Sequence, residues 1–162
     1  MNENKMSTTK QERSGEFYKK VLELTLAGGA AFWVTNFAIS LSPIAAEYRD
    51  ALSISYLPMI VESLIGGLII GFFVSYFLLR FFDKIPTKKP ISKSVILSLF
   101  ALVIATIVLQ VPASSLTRYF IIGTMFNVLR ILALGIVVGY LCERLYKGLY
   151  PSVTVSKTPH VE

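Results

Sequence analysis

Two ionisable side chains lie inside long apolar segments of the sequence, where charges are rare. Arg130 is close to the centre of the segment from Tyr119 to Cys142, and Glu62 lies within the segment from Leu57 to Phe82. A charge at the centre of a membrane helix costs at least about 2.5 kcal/mol on insertion scales, so the protein has to supply a partner for it. We therefore predict that Arg130 and Glu62 are counter-ions, in contact directly or through a bridging amide or water.

Two asparagines extend this candidate site. Asn127 precedes Arg130 by three residues, which places both on one face of a helix, and Asn36 lies in the apolar segment from Val21 to Leu41. With Glu62, these side chains predict a polar cavity in the outer half of the protein, for an anionic or zwitterionic small molecule or for proton relay. The sequence slightly favours the other interpretation, a structural ion pair that fixes which helices face each other, because breaking a buried pair is costly.

Each of the two charges is followed, five residues later, by two glycines four positions apart. The pairs are Gly67 and Gly71 after Glu62, and Gly135 and Gly139 after Arg130. Small residues at this spacing let membrane helices approach closely, so we predict that they pack helices within the protein; dimerisation is the alternative. One shift of 68 residues aligns both charges and both glycine pairs. This match is typical of two related hairpins. A coincidence between apolar helices is the simpler explanation and is preferred.

The composition indicates which elements hold these residues in place. Hydrophobic residues make up 54% of the 162 and charged residues 16%, whereas about a quarter of the residues of a soluble domain are charged. Four apolar segments, at residues 21–41, 57–82, 94–111 and 119–142, are long enough to cross a bilayer as helices. The sequence thus predicts an all-α integral membrane protein, a bundle of four transmembrane helices within residues 18–147. Polar tails at residues 1–17 and 148–162 flank it.

A further short helix is predicted in the loop after the first span. Ser42 suits the N-cap of a helix and Pro43 its first turn. Apolar or aromatic residues recur at helical spacing between Ile44 and Tyr56, with charged residues on the other side. This pattern is typical of a helix that lies in the membrane interface.

The basic residues are distributed unevenly over the two ends of the spans. Thirteen flank the ends that carry both termini and the middle loop, whereas the other two loops contain only Arg49 and Arg118. Because cytoplasmic loops carry the excess of Lys and Arg, we expect a multi-pass protein of the plasma membrane with both termini in the cytoplasm. Anionic lipid headgroups are the expected partners of these cations, and no nucleic-acid recognition motif accompanies them.

The remaining polar residues narrow the function classes. Cys142 is the only cysteine and His160 the only histidine, so we expect no internal disulfide, no histidine-rich metal site, no haem and no other cofactor. The apolar segments also lack the acidic clusters and nucleophiles of lipid enzymes, and we expect no catalytic activity. The sequence favours a non-catalytic accessory or scaffold subunit that associates with itself or with another membrane protein. The alternative is a small oligomeric transporter or channel whose polar site contains Arg130 and Glu62.

Overall fold

The chain folds into helices. The computed structural model describes residues 3–85, 87, 89–108 and 117–146, with the backbone alone at residues 3–13, 108, 117 and 146. These residues form five α-helices, a 3-10 turn and no strand. Four of the helices are long and apolar enough to cross a membrane, which confirms the all-α class and the four candidate spans. The predicted C-terminal tail at 148–162 lies outside the described residues. The elements are α1 (Glu3–Ser40), α2 (Pro43–Ala51), α3 (Tyr56–Arg80), the turn Phe82–Lys84, α4 (Pro90–Val108) and α5 (Thr117–Tyr146).

The four long helices expose large apolar side chains. Leu57 of α3 is 74% exposed, Phe100 of α4 64% and Met125 of α5 62%. Extensive apolar surface of this kind is unfavourable in water and is accommodated by lipid acyl chains. The pattern of burial therefore supports a multi-pass membrane protein independently of helix length.

The first helix begins well before the first predicted span. α1 starts at Glu3, so the predicted polar tail at residues 1–17 is helical from that residue on and continuous with the span. This tail contains Glu, Lys, Met, Gln and Arg, which are good helix formers, among less favourable Asn, Ser, Thr and Gly. Lys20 and Glu16 form an ion pair of 2.6 Å one turn apart, and such pairs stabilise a helix by about 0.2–0.5 kcal/mol.

The short helix α2 has the N-terminus that the sequence predicts. Ser42 adopts an extended conformation and its Oγ accepts a hydrogen bond of 3.2 Å from the backbone N–H of Ala45, while Pro43 occupies the first turn. The helix ends at Ala51, five residues before the predicted end of the amphipathic pattern. Ser53 adopts a positive φ of 53°, a conformation that no helix continues through, and the chain turns there into α3.

The long helices pack as two close pairs that are themselves in contact. α3 packs on α1, and α5 packs on α4; α1 also packs closely on α5, whereas α3 and α4 make much less contact with each other. Each close pair contains one of the glycine pairs. A Cβ at Gly71 would lie 3.0 Å from the carbonyl oxygen of Thr25 on α1, and one at Gly139 would lie 2.5 Å from the Cα of Ile91 on α4. Only glycine permits such approach of two backbones.

Gly67 and Gly135 take part in the same two contacts. Gly67 lies against the Phe32 side chain of α1, and Gly135 lies against Ser98 of α4. All four glycines of the two pairs are buried in this way. Their small faces are therefore occupied by contacts within one chain.

The most closely packed part of the protein lies away from α2. Leu24, Leu78 and Leu134 are 0% exposed there, and α3 is joined to α4 at the same end. Lys93, 6% exposed, donates a hydrogen bond to the carbonyl of Phe82, and its Nζ lies 3.9 Å from the centre of the Phe82 ring. This contact ties the two helices together at that end. The half of the protein nearer α2 is packed less completely.

Candidate ligand-binding cleft

A cleft of about 410 Å³ lies in the half of the protein nearer α2. It separates α3 from α4 and α5, along the one seam between neighbouring long helices that is not closely packed. α3 contributes Glu62 to its wall and α5 contributes Asn127 and Arg130, while Phe32 of α1 and Tyr48 of α2 also line it. The volume is within the range of sites for small molecules, about 300–1,000 Å³.

Arg130 is the most unusual side chain in the cleft. Its Nε is buried without a hydrogen-bond partner, and no described residue forms an ion pair with it. Its guanidinium carbon lies 5.9 Å from the centre of the Phe32 ring, within the range of a cation–π contact. At this distance, near the outer limit of such contacts, the contact is worth about 0.5–1 kcal/mol, whereas a buried donor without a partner costs about 1–3 kcal/mol and more when it is charged. The protein alone therefore leaves the guanidinium incompletely satisfied.

Glu62 lines the same cleft without touching Arg130. The described ion pairs join Lys20 to Glu16 and Arg118 to Glu47, so the predicted counter-ions share a site but are not in direct contact. The helix bounds explain the gap. Glu62 is six residues from the start of α3 and Arg130 thirteen from the start of α5. At 1.5 Å per residue the difference places Glu62 about 10 Å nearer the α2 end along the helix axes.

The two predicted asparagines have different surroundings. Asn127 is exposed and lines the cleft one turn from Arg130, on the same face of α5. Asn36 is 1% exposed and does not line the cleft, and its Nδ2 is buried without a hydrogen-bond partner. The structure therefore brings Glu62, Asn127 and Arg130 together and leaves Asn36 apart.

Tyr48 of α2 covers the end of α5 beside the cleft, a contact that the sequence analysis did not predict. A Cβ at Gly123 would lie 2.7 Å from the Tyr48 hydroxyl oxygen, and the Tyr48 ring packs edge-on against the rings of Tyr119 and Phe126, at 6.3 and 5.9 Å. A signal for this contact was present, because Gly123 precedes Asn127 by four residues and leaves room on the charged face of α5.

Two further contacts hold α2 over the long helices. Glu47 forms an ion pair of 3.2 Å with Arg118 at the start of α5. Arg49 donates a hydrogen bond of 3.0 Å to the carbonyl of Ser40, and its guanidinium carbon lies 5.2 Å from the centre of the Tyr56 ring. α2 is thereby fixed to α1, α3 and α5, and it keeps Tyr48 at the edge of the cleft.

The arrangement is suited to binding. The described residues contain no group of three or more His, Cys, Asp and Glu side chains that could hold a metal ion. Within the cleft, a cation and a carboxylate stand apart on walls that are otherwise largely apolar. Comparison with protein-family models, with curated proteins and with solved structures found no match for this chain.

Proposed function

We propose that the protein binds a small molecule with an anionic group in this cleft, and that Arg130 receives the anion. The observation that carries the proposal is the buried Nε of Arg130, which has no hydrogen-bond partner among the described residues although it adjoins a cleft of about 410 Å³. An oxyanion there would accept hydrogen bonds from the planar fork of donors that a guanidinium presents. Charged residues within membrane spans mark ligand or ion pathways more often than they serve structure.

The proposed setting is a four-helix bundle in the plasma membrane with both termini in the cytoplasm. The bias of thirteen basic residues against two supports this orientation. In it, α2 lies at the outer interface and the cleft belongs to the outer half of the bundle. The basic middle loop and termini lie beside anionic headgroups of the inner leaflet.

The packing favours a binding protein or a transporter over an open channel. The cleft occupies only the half of the bundle nearer α2, and the other half is filled by buried side chains such as Leu24, Leu78 and Leu134. Passage of a ligand would require α3 and α4 to separate at the end where Lys93 joins α4 to Phe82. The proposal is therefore ligand binding in the outer half of the bundle, and transport is the alternative.

An accessory or scaffold role is the second candidate, and one surface favours it. Phe73, Phe77 and Phe81 stack along α3 with ring centres 6.4 and 5.8 Å apart, and they are 51%, 41% and 37% exposed. Aromatic residues are enriched at protein interfaces. A partner on this face predicts a complex in mild detergent that Phe73→Ala with Phe77→Ala disrupts. Arg130→Gln would leave that complex intact, which separates the two candidates.

Native mass spectrometry of the full chain purified from membranes tests the proposed binding. We expect a bound species on the wild type and on Arg144→Gln, a matched control at the other end of α5. Arg130→Gln should lose it, and Arg130→Lys should retain part of it because the charge remains. An identical bound mass on Arg130→Gln, with unchanged elution on size-exclusion chromatography, would exclude Arg130 as the anion receptor.

A further inference from the structure

The cleft contains two opposite charges that the protein does not bring together. Arg130 and Glu62 both line it, they form no ion pair, and their positions differ by about 10 Å along the helix axes. Arginine side chains on a helix lean towards its N-terminus, so the guanidinium extends in the direction of Glu62. A ligand between them would have its anion at the inner end of the cleft and a second group near the carboxylate.

The carboxylate discriminates between classes of anionic ligand. A ligand with negative charge alone would be repelled by Glu62, whereas one that also carries an ammonium group would be attracted by it. For an ammonium group in contact with the carboxylate, about 4 Å away, at an effective dielectric constant between those of a protein surface and bulk water, the preference amounts to roughly tenfold or more in affinity. The site therefore favours a zwitterion over an anion.

The walls indicate that the ligand also has an apolar part. Ile70 of α3 and Leu102 and Ala105 of α4 line the cleft beside the charged residues. They flank the seam between α3 and α4, which is the least packed of the seams between neighbouring long helices. A molecule with its polar group in the cleft could extend an alkyl chain through this seam towards the exposed apolar surfaces of the two helices, where lipid acyl chains are expected.

Taking the proposed function as its basis, we infer that the ligand is a zwitterionic amphiphile, a phospholipid whose headgroup carries an amine. Its phosphate contacts Arg130, its ammonium group contacts Glu62, and its chains leave between α3 and α4. A cleft of about 410 Å³ accommodates the headgroup while the chains lie outside. Asn127, exposed in the same wall one turn from Arg130, offers a further amide donor to the phosphate.

The test is lipid titration of the full chain in detergent, with bound lipid counted by native mass spectrometry. The probes are dioleoyl phosphatidylethanolamine, dioleoyl phosphatidylglycerol, which lacks the ammonium group, and soluble glycerophosphoethanolamine, which lacks the chains. We expect the wild type to prefer the ethanolamine lipid over the glycerol lipid by roughly tenfold. Glu62→Gln should reduce this ratio to near one, and the matched control Glu143→Gln should leave it unchanged.

The outcomes separate this inference from the proposed function. Arg130→Gln should weaken the binding of both lipids at least tenfold, and Arg144→Gln is its control. If Arg130→Gln fails to fold, Arg130→Lys replaces it and should weaken the binding of both lipids to a smaller extent. No preference in the wild type, or an unchanged ratio in Glu62→Gln, overturns the zwitterion inference while the loss with Arg130→Gln sustains anion binding. If the soluble headgroup binds as tightly as the lipid, the inference that the ligand is an amphiphile is overturned. Unchanged binding in Arg130→Gln overturns both.

Discussion

Replacement of Arg130 by methionine distinguishes a ligand-binding arginine from a structural one by the sign of its effect on stability. Methionine keeps an unbranched side chain and removes the charge. It removes the buried Nε that lacks a partner, which relieves about 1–3 kcal/mol. It also removes the contact with Phe32 at 5.9 Å, worth about 0.5–1 kcal/mol. We therefore predict that Arg130→Met leaves the ligand-free protein unchanged or stabilises it by about 1–2 kcal/mol.

A structural ion pair with Glu62 predicts the opposite result. Breaking a buried pair by removing one partner destabilises by about 3–5 kcal/mol. Equilibrium unfolding in detergent, after removal of bound lipid, measures the difference, and Arg144→Met on the exposed end of α5 is the control. Arg130→Met combined with Glu62→Gln should be additive to within about 0.5 kcal/mol, as for independent sites. A loss of about 3 kcal/mol in Arg130→Met that Glu62→Gln partly recovers would refute the interpretation of the cleft given above.

Three other predictions concern packing and orientation. Gly139→Ala should destabilise the detergent-solubilised protein by about 1–3 kcal/mol, because its Cβ would overlap the backbone of α4. Gly66→Ala, where a Cβ would meet no atom within 4 Å, is the control and should leave stability unchanged or raise it by up to about 1 kcal/mol; equal effects would contradict the close approach of α4 and α5. Lys93→Met should destabilise by about 1.5–3 kcal/mol through loss of a buried charged hydrogen bond, and an unchanged unfolding midpoint would contradict that bond. Ser53→Cys, at an exposed position, should react with a membrane-impermeant maleimide on intact cells while buried Cys142 does not; labelling only after lysis would reverse the proposed orientation.

The structure bears on the internal similarity of the two halves of the chain. α1 with α3 and α4 with α5 form the closest pairs, and in each the second helix places its glycine pair against the first. Related hairpins about a two-fold axis would make the α1–α5 and α3–α4 seams alike. The α1–α5 seam is closely packed and the α3–α4 seam is not, so the two halves of the chain differ at the α3–α4 seam, where the cleft lies. Duplication stays a hypothesis.

Asn36 and Asn127 show which residues of the candidate site helical periodicity could predict and which it could not. Asn127 lies three residues before Arg130, so their common face followed from 3.6 residues per turn, and the structure places both in the cleft. For Asn36 no such relation was available. α1 shows little separation of polar and apolar faces over its whole length, so its sequence indicates the inward face only weakly. Only the contacts with α3 and α5 fix that rotation, and they bury Asn36 away from the cleft.

What the sequence determined by itself is the set of elements: four apolar helices, the capped start of α2 at Ser42, and the two charges within the spans. These features follow from local chemistry, namely the length of apolar segments, the preferences of Ser and Pro at helix starts, and helical spacing. Tertiary structure alone decided that Arg130 lies over Phe32 without a counter-ion and that the seam between α3 and α4 stays open beside it. Both depend on how well side chains from distant segments fit together. The hydrophobic effect does not select among apolar faces in a membrane, so packing has to make that choice.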